Sequence, residues 1–389
     1  MLGLPRTVIV LGLVSFLNDA ASDMIAPLLP LFLTATLGAG PAIVGLVEGV
    51  AEATASLLKL VSGRLADRGW PPKGLVLGGY ALSNAARPLI SLALGWGWVL
   101  ALRFLDRVGK GLRTAPRDAL IAAATDPRTR GRAFGWHRAL DNAGAMVGPL
   151  AAFALLTWEV PLAQVFLWSV VPGVLVILLL VFGLPGQARV PVAAPPRLSW
   201  SALPPRLRAL ILAAGTLSLA AAPEAFLVLW AQAQGLAVAW IPLVWAAASG
   251  VKALVAAPAG GLSDRWGRLP VLLTGWGARV GVLILLATAQ DGTWLVWALF
   301  LAYAATLAFT EGAERALVGD FAPARLKATA FGLYHMTVGL LALPGAVLFG
   351  GLWQWAGMTT AFLVSAALTL VAMLWLWRLL AGTEDRKAC

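Results

Sequence analysis

Long apolar stretches, each interrupted by only a few polar positions, succeed one another along the whole chain. Twelve runs can be counted, near 7–34, 41–62, 74–94, 97–117, 132–156, 162–184, 208–232, 237–259, 269–289, 293–318, 328–351 and 359–380. A helix rising 1.5 Å per residue needs about 20 apolar residues to cross the hydrocarbon core of a bilayer, so each run predicts a transmembrane helix. Between the sixth and seventh runs lies 185–206, LPGQARVPVAAPPRLSWSALPP, which is rich in proline and holds Arg189, Arg197 and Arg206. The pattern predicts an all-α integral membrane protein of 12 transmembrane helices. An N-terminal six-helix bundle would occupy 1–184, a cytoplasmic linker 185–206, a C-terminal six-helix bundle 207–381 and a cytoplasmic tail 382–389.

The polar positions between the runs predict topology. Loops after odd-numbered runs carry no Lys or Arg, whereas those after even-numbered runs carry Arg64, Arg68 and Lys73, then Arg128, Arg130 and Arg132, then the linker arginines, Arg265 and Arg268, and Arg325 and Lys327. Positive charge collects on the cytoplasmic side, so both termini and the linker are expected there, in the cell (inner) membrane. Trp96, Trp98, Trp158, Trp240, Trp294, Trp353 and Trp355 flank the proposed outer loops, where a half-wet indole ring is at home.

Composition sharpens this picture. Over 389 residues, 60% are hydrophobic and 12% charged, half the charge of an ordinary soluble domain, which excludes a conventional soluble enzyme. The net charge of +11 is explained by the cytoplasmic loops rather than by nucleic acid. Cys389 alone offers neither a disulfide nor a metal-binding pair, and its place at the very end does not match a prenylation box. The first run is too long for a signal peptide and reads as a retained helix. No P-loop, Ser-His-Asp set or metal-hydrolase motif occurs, so no enzyme, cofactor or metal is expected, and a monomer suffices.

The chain repeats itself. Gly63-Arg-Leu65-Ala-Asp67-Arg68 closes the second run and Gly260-Gly-Leu262-Ser-Asp264-Arg265 closes the eighth, 197 residues later. The same offset relates Ala133-Phe134-Gly135 to Ala330-Phe331-Gly332, and Ala119-Leu120 to Ala316-Leu317. Two parallel six-helix repeats follow. With its loop motif, this arrangement resembles the major facilitator superfamily of secondary transporters, whose signature between helices 2 and 3 is Gly-x-Leu-Ala-Asp-Arg-x-Gly-Arg-Lys. The second copy, through Trp266-Gly267-Arg268, fits closely; the first departs after Arg68, where Gly69 comes one residue early. Gly63 and Gly260 are expected to allow close packing or a sharp turn, Asp67 to face a helix N-terminus and Arg68 to find an anion. The resemblance implies that this motif, with Asp264 and Arg265, gates the cytoplasmic side.

Ionisable groups inside the runs are costly at bilayer depth and therefore functional candidates. The first run carries Asn18, Asp19 and Asp23, the second Glu48, Glu52 and Lys59, the fourth Arg103, Asp106, Arg107, Lys110, Arg113 and Arg117, and the fifth His137, Arg138 and Asp141. Two readings stand: a structural salt-bridge network joining helices 1, 2, 4 and 5, and a proton and substrate pathway. In the second reading Asp19, Asp23, Glu48, Glu52, Arg103, Asp106 and Asp141 couple protons. Asn18, Arg107, Lys110, His137, Glu224 and Lys252 then bind substrate.

Arg103-Phe-Leu-Asp106-Arg107-Val-Gly109-Lys110-Gly111 resembles the family's helix-4 motif, Arg-x-x-x-Gly-x-Gly, with Arg107 at the first glycine. The resemblance implies that Arg103 assists proton transfer. Gly144-Ala-Met-Val-Gly148-Pro149 resembles the family's antiporter motif in helix 5, although Ala152 and Phe153 replace its last glycines. Its small residues permit close helix contact. The C-terminal repeat is poorer in charge, with Glu224 after Pro223, Lys252, Arg279, Glu311, Glu314, Arg315 and His335; Glu314 and Arg315 stand where Arg117 and Asp118 stand in the first repeat.

The expected function is secondary active transport by alternating access, as proton-coupled export by antiport of small amphipathic compounds, driven by the proton gradient. The alternatives are a carrier of an organic anion or metal chelate, and a lipid flippase. Expected partners are the bilayer and a small-molecule substrate, without nucleic acid.

Overall fold

The computed structural model describes residues 5–67, 70–125, 130–184, 200–201, 203–289, 292–323 and 327–381. Among these there is no strand. The helices are α1 (Arg6–Asp23), α2 (Leu29–Leu31), α3 (Pro41–Asp67), α4 (Pro72–Leu89), α5 (Trp96–Ala123), α6 (Arg130–Thr157), α7 (Leu162–Trp168) and α8 (Val170–Gly183). They continue as α9 (Pro205–Ala220), α10 (Glu224–Ala233), α11 (Ile241–Trp266), α12 (Arg268–Thr288), α13 (Thr293–Phe321), α14 (Lys327–Ala356) and α15 (Met358–Ala381). A π-helical turn, Phe32–Thr36, follows α2.

Nine segments among the described residues are long and apolar enough to cross a membrane. The first, third and fourth runs are not among them, for a shared reason. α1 carries Asp19 and Asp23, α4 carries Asn84 and Arg87, and α5 carries Arg103, Asp106, Arg107 and Lys110. These three helices, with α6, hold the polar interior described below.

Three runs that read as single helices are broken, each at a proline. Pro27 has no N–H to give the Asp23 carbonyl, and α1 ends at Asp23. Pro172 likewise cannot reach residue 168, and α7 gives way to α8 at Ser169. In the seventh run the chain leaves helical geometry at Ala221 and resumes after Pro223. The carbonyls freed there are not orphaned. Tyr303 Oη donates to Ala222 O at 2.7 Å, and Ser365 Oγ donates to Ala220 O. Glu224 then opens α10, where a carboxylate complements the positive end of the helix dipole.

Two compact units can be distinguished. One comprises Met1–Ala39, Thr54–Pro195 and Ala237–Ala246, the other Gly40–Ala53, Pro196–Leu236 and Ala247–Cys389, so far as these are described. In the first, α1 packs on α6 and α8, and α4 on α5 and α8. In the second, α9 packs on α14 and α15, and α12 on α13 and α15, so the helix pairs recur in the same order. The first apolar core gathers Leu11, Val14, Tyr80, Leu120, Ala133 and Leu180. The second gathers Ile211, Trp276, Leu317, Ala330, Tyr334 and Leu376. Leu120 and Leu317, and Ala133 and Ala330, are mates at the 197-residue offset.

Six of the seven flanking tryptophans (Trp96, Trp98, Trp158, Trp240, Trp294 and Trp355) are exposed, as interfacial residues should be. Trp353 differs: its ring joins Phe226, Phe349 and Phe362 in an aromatic cluster, with centroids 5.5–6.1 Å away.

Candidate functional site: a buried ionic network

Helices α4 and α5 touch through glycine. A Cβ at Gly79 would lie 2.6 Å from Gly109 O, and one at Gly109 would lie 2.4 Å from Gly79 O. Only bare backbone permits this approach. It brings Ser83 Oγ to 2.8 Å from the Asp106 carbonyl and sets the Asp106 carboxylate, 1% exposed, against α4. Arg87 Nε donates to Asp106 Oδ1 at 3.0 Å. Arg103 Nη1 and Arg107 Nε each stand 3.7 Å from Oδ2, in ion-pair range but beyond hydrogen-bond distance. Arg113 donates to Ser83 Oγ at 2.6 Å and lies over the Tyr80 ring, 4.4 Å from its centroid. One carboxylate thus stands among the guanidiniums of Arg87, Arg103 and Arg107, with Arg113 close by.

Helices α1 and α6 also meet through glycine. Added Cβ atoms at Gly144 and Gly148 would fall 2.2 Å from Phe16 O and 2.4 Å from Ala20 O. This contact seats Ser15 and Asp19 opposite Asp141. Ser15 Oγ donates to Asp141 Oδ1 at 2.7 Å, and Arg138 Nη1 meets Asp141 Oδ2 at 3.1 Å. Ser15, which holds Asp141, lies one helical turn before Asp19 on α1, so the two carboxyl groups face the same contact and each weighs on the other's charge. Arg117 reaches Ser15 Oγ at 3.4 Å from α5.

Asn18 joins the two clusters. Its Oδ1 accepts from Arg87 Nη1 at 3.0 Å, and its Nδ2 donates to Asp19 Oδ1 at 2.9 Å. Asn84, bonded to Arg87 and Asn18, completes the junction. Polar contacts therefore run Asp106–Arg87–Asn18–Asp19 and Asp141–Ser15–Arg117, the two strings one helical turn apart on α1, through four helices of one unit. Two carboxylates facing one contact repel when both are ionised, so this is the place among these contacts where taking up a proton would relieve like charge.

The other expected residues fall as follows. Asp23 and Lys110 lie within electrostatic reach of Asp19. His137 is buried among charges of Arg117 and Asp141. Glu48 and Glu52 stand on Gly40–Ala53, the part of α3 that packs with α14, where Gly45 and Gly49 approach Ala346 O and Leu343. Glu224 pairs with Lys252 in the second unit. In the loop motif, Arg68 lies outside the described residues, as do the side chains of Gly63 and Asp67. Gly260 lies inside α11 with open space around it, so it neither packs closely nor turns; the turn falls at Gly267, whose φ of +91° favours glycine. Asp264 meets Arg268, and Arg268 also pairs with Asp320 of α13, while Arg265 is exposed. Pro149 sits within α6.

Sequence reasoning passed over Arg87, the guanidinium hydrogen-bonded to Asp106, together with Asn84, Ser15 and Ser83. Tyr80, Asn84 and Arg87 share one face of α4 at helical spacing, and Arg87 is a charge inside an apolar run. The rule that singled out Arg103 therefore applies to it equally.

The family model described as Major Facilitator Superfamily matches residues 11–256 and 227–388 of the chain. An uncharacterised MFS-type transporter of Methanocaldococcus jannaschii is 32% identical over 378 residues, covering 95% of this chain and 94% of the relative. The multidrug resistance protein MdtH of Aeromonas hydrophila is 30% identical over 149 residues, 38% of this chain and 37% of its own length. Among solved structures, a bacterial homologue of the human lysosomal transporter Spinster, inward-facing and occupied, shares the fold with a TM-score of 0.79. Its sequence identity is 17%, over 96% of both chains.

Proposed function

Because the chain belongs to the Major Facilitator Superfamily, we propose that it is a proton-coupled secondary transporter of small amphipathic compounds, exporting them by antiport and alternating access. It spans the cell (inner) membrane twelve times with both termini and the 185–206 linker in the cytoplasm, acts as a monomer, and draws on the proton gradient without a cofactor. The observation that carries this reading is the placement of Asp19 on α1 one turn from Ser15, which holds Asp141 of α6 at 2.7 Å, so that two carboxyl groups face one helix contact. Such a pair is suited to take up one proton, and its loss would leave two like charges facing each other. Loss of the proton therefore favours an arrangement in which they separate, which is the requirement for coupling to a rocking motion. The partial likeness to MdtH supports the export direction.

The test is made in proteoliposomes. A thermal-shift screen with lipophilic cations, organic anions, chelates and lysolipids first supplies a ligand; at 100 times its Kd a ligand adds about 2.7 kcal/mol to apparent stability. Asp19→Asn is then expected to exchange that ligand without moving protons, with an unchanged melting curve. Full proton coupling in Asp19→Asn would sink the proposal.

A second reading, transport of an organic anion, is favoured by one observation: the guanidiniums of Arg87, Arg103 and Arg107 surround a single carboxylate. It predicts that Arg107→Ala and Lys110→Ala weaken anion binding while leaving cation binding intact.

A further inference from the structure

A cavity of about 250 Å3 lies within the second unit, walled by α9, α12, α13 and α14. Much of its wall is apolar, with Leu217, Leu307 and Val338 among the lining residues, but Arg279 and Glu314 open on it with opposite charge. Arg279 is 4% exposed, donates from Nη2 to Thr310 Oγ1 at 3.1 Å and to Thr306 O at 3.4 Å, and leaves its buried Nε without an acceptor. No carboxylate answers it among the described residues. Glu314 is the converse. Its two oxygens accept from neutral donors, Trp276 Nε1 at 3.1 Å and Tyr334 Oη at 3.0 Å. The neighbouring cation, Arg315, is engaged by Glu311, which also lines the cavity.

The two groups are spaced by the helices that carry them. Trp276 holds Glu314 and Arg279 holds Thr310, so the acid and the cation are anchored at successive turns of α13. The cavity has room for a small molecule. A buried cation with an unused donor and a carboxylate held only by neutral groups are each incompletely matched, and a ligand bearing both charges satisfies both.

We propose that this cavity binds a small zwitterion, its ammonium group on Glu314, its carboxylate on Arg279 and its carbon chain against the apolar wall. This rests on the reading of the protein as a small-molecule transporter and names the substrate class.

The experiment is isothermal titration of the detergent-purified full chain with the amino acids from glycine to 6-aminohexanoate, ammonium and carboxylate at opposite ends. Butylamine and butanoate serve as half-ligands. At least one zwitterion of the series is expected to bind ten times more tightly than either half-ligand. Glu314→Gln, which can still accept from Trp276 or Tyr334, should erase that advantage and leave butanoate binding unchanged. Arg279→Lys keeps the charge but loses the guanidinium fork and should weaken zwitterion and butanoate together. Equal affinity for a half-ligand, no binding by any zwitterion, or full zwitterion affinity in Glu314→Gln would each overturn the proposal. Asp19→Asn separates it from the coupling mechanism: that variant should bind the zwitterion normally. Normal binding with proton coupling retained defeats the coupling role alone, and lost binding in Glu314→Gln with coupling defeated leaves this site standing.

Discussion

Where α5 presents Arg117 to Ser15, beside His137 and Asp141, α13 presents Glu314 to Trp276 and Tyr334. Arg117 and Glu314, His137 and Tyr334, and Asp141 and Val338 are mates at the 197-residue offset. The supporting hydroxyl does not follow the offset: Ser15 donates to the Asp141 side chain, its mate is Leu212, and the Val338 carbonyl instead accepts from Ser218 at 2.8 Å. The helix packing has been kept and the chemistry inverted. In the first unit the charges answer one another across four helices. In the second, acid and base are each held by neutral partners beside a cavity. The first arrangement depends on every member being present, whereas the second tolerates neutralisation and leaves its charges available to something else.

The largest effect that would break this contrast is at Asp106. Asp106→Ala leaves Arg87, Arg103 and Arg107 without their carboxylate, and removing one partner of a buried ionic cluster costs about 3–5 kcal/mol. A clear fall in Tm of the purified protein is expected; an unchanged Tm would mean that the cluster is not a mutually dependent unit. Next come the glycine contacts. Gly148→Val and its mate Gly345→Val drive side chains into Ala20 O and Leu219 O and should each cost about 1–3 kcal/mol, showing that packing is common to both units. Unequal losses would show that the repeat is weaker than its geometry.

Arg279→Met should move the other way. With no carboxylate left behind, an apolar side chain of similar length is expected to raise stability by about 1 kcal/mol while zwitterion binding is lost. A loss as large as that of Asp106→Ala would erase the distinction between the units. The smallest effect is at Gly260, helical and unobstructed, where Gly260→Ala should add about 0.5–1 kcal/mol, read as a small rise in Tm.

The helices were legible because hydrophobic runs of spanning length leave few alternatives: α12 at Arg268–Thr288 and α13 at Thr293–Phe321 lie within a few residues of the runs at 269–289 and 293–318. The interruptions at Pro27, Pro172 and Pro223 were not, because a run counted by apolarity absorbs proline without registering its missing N–H. Asp19, Asp106 and Asp141 stood out as charges in apolar surroundings. Their partners did not, because pairing across helices follows from the contacts of Gly79 with Gly109 and of Gly148 with Ala20, and no spacing within one helix contains that information. Glu48 and Glu52 show the converse limit. They share a stripe on one helix, yet α3 runs past more than one neighbour, and their stretch of it packs with α14. Ser15 and Ser83 carry no signal of their own.

The polar character of α1, α4 and α5 has a consequence for how the protein is made. None of these helices is apolar enough to partition into lipid readily on its own merits, since α5 alone brings Arg103, Asp106, Arg107 and Lys110. Asp106 is synthesised after Arg87, so the earlier charge is expected to find its stable place only once its later counterpart has emerged. Helices α1, α4 and α5 are therefore expected to enter the bilayer together with the helices that cover their charges, while the segments apolar enough to span by themselves can enter one at a time.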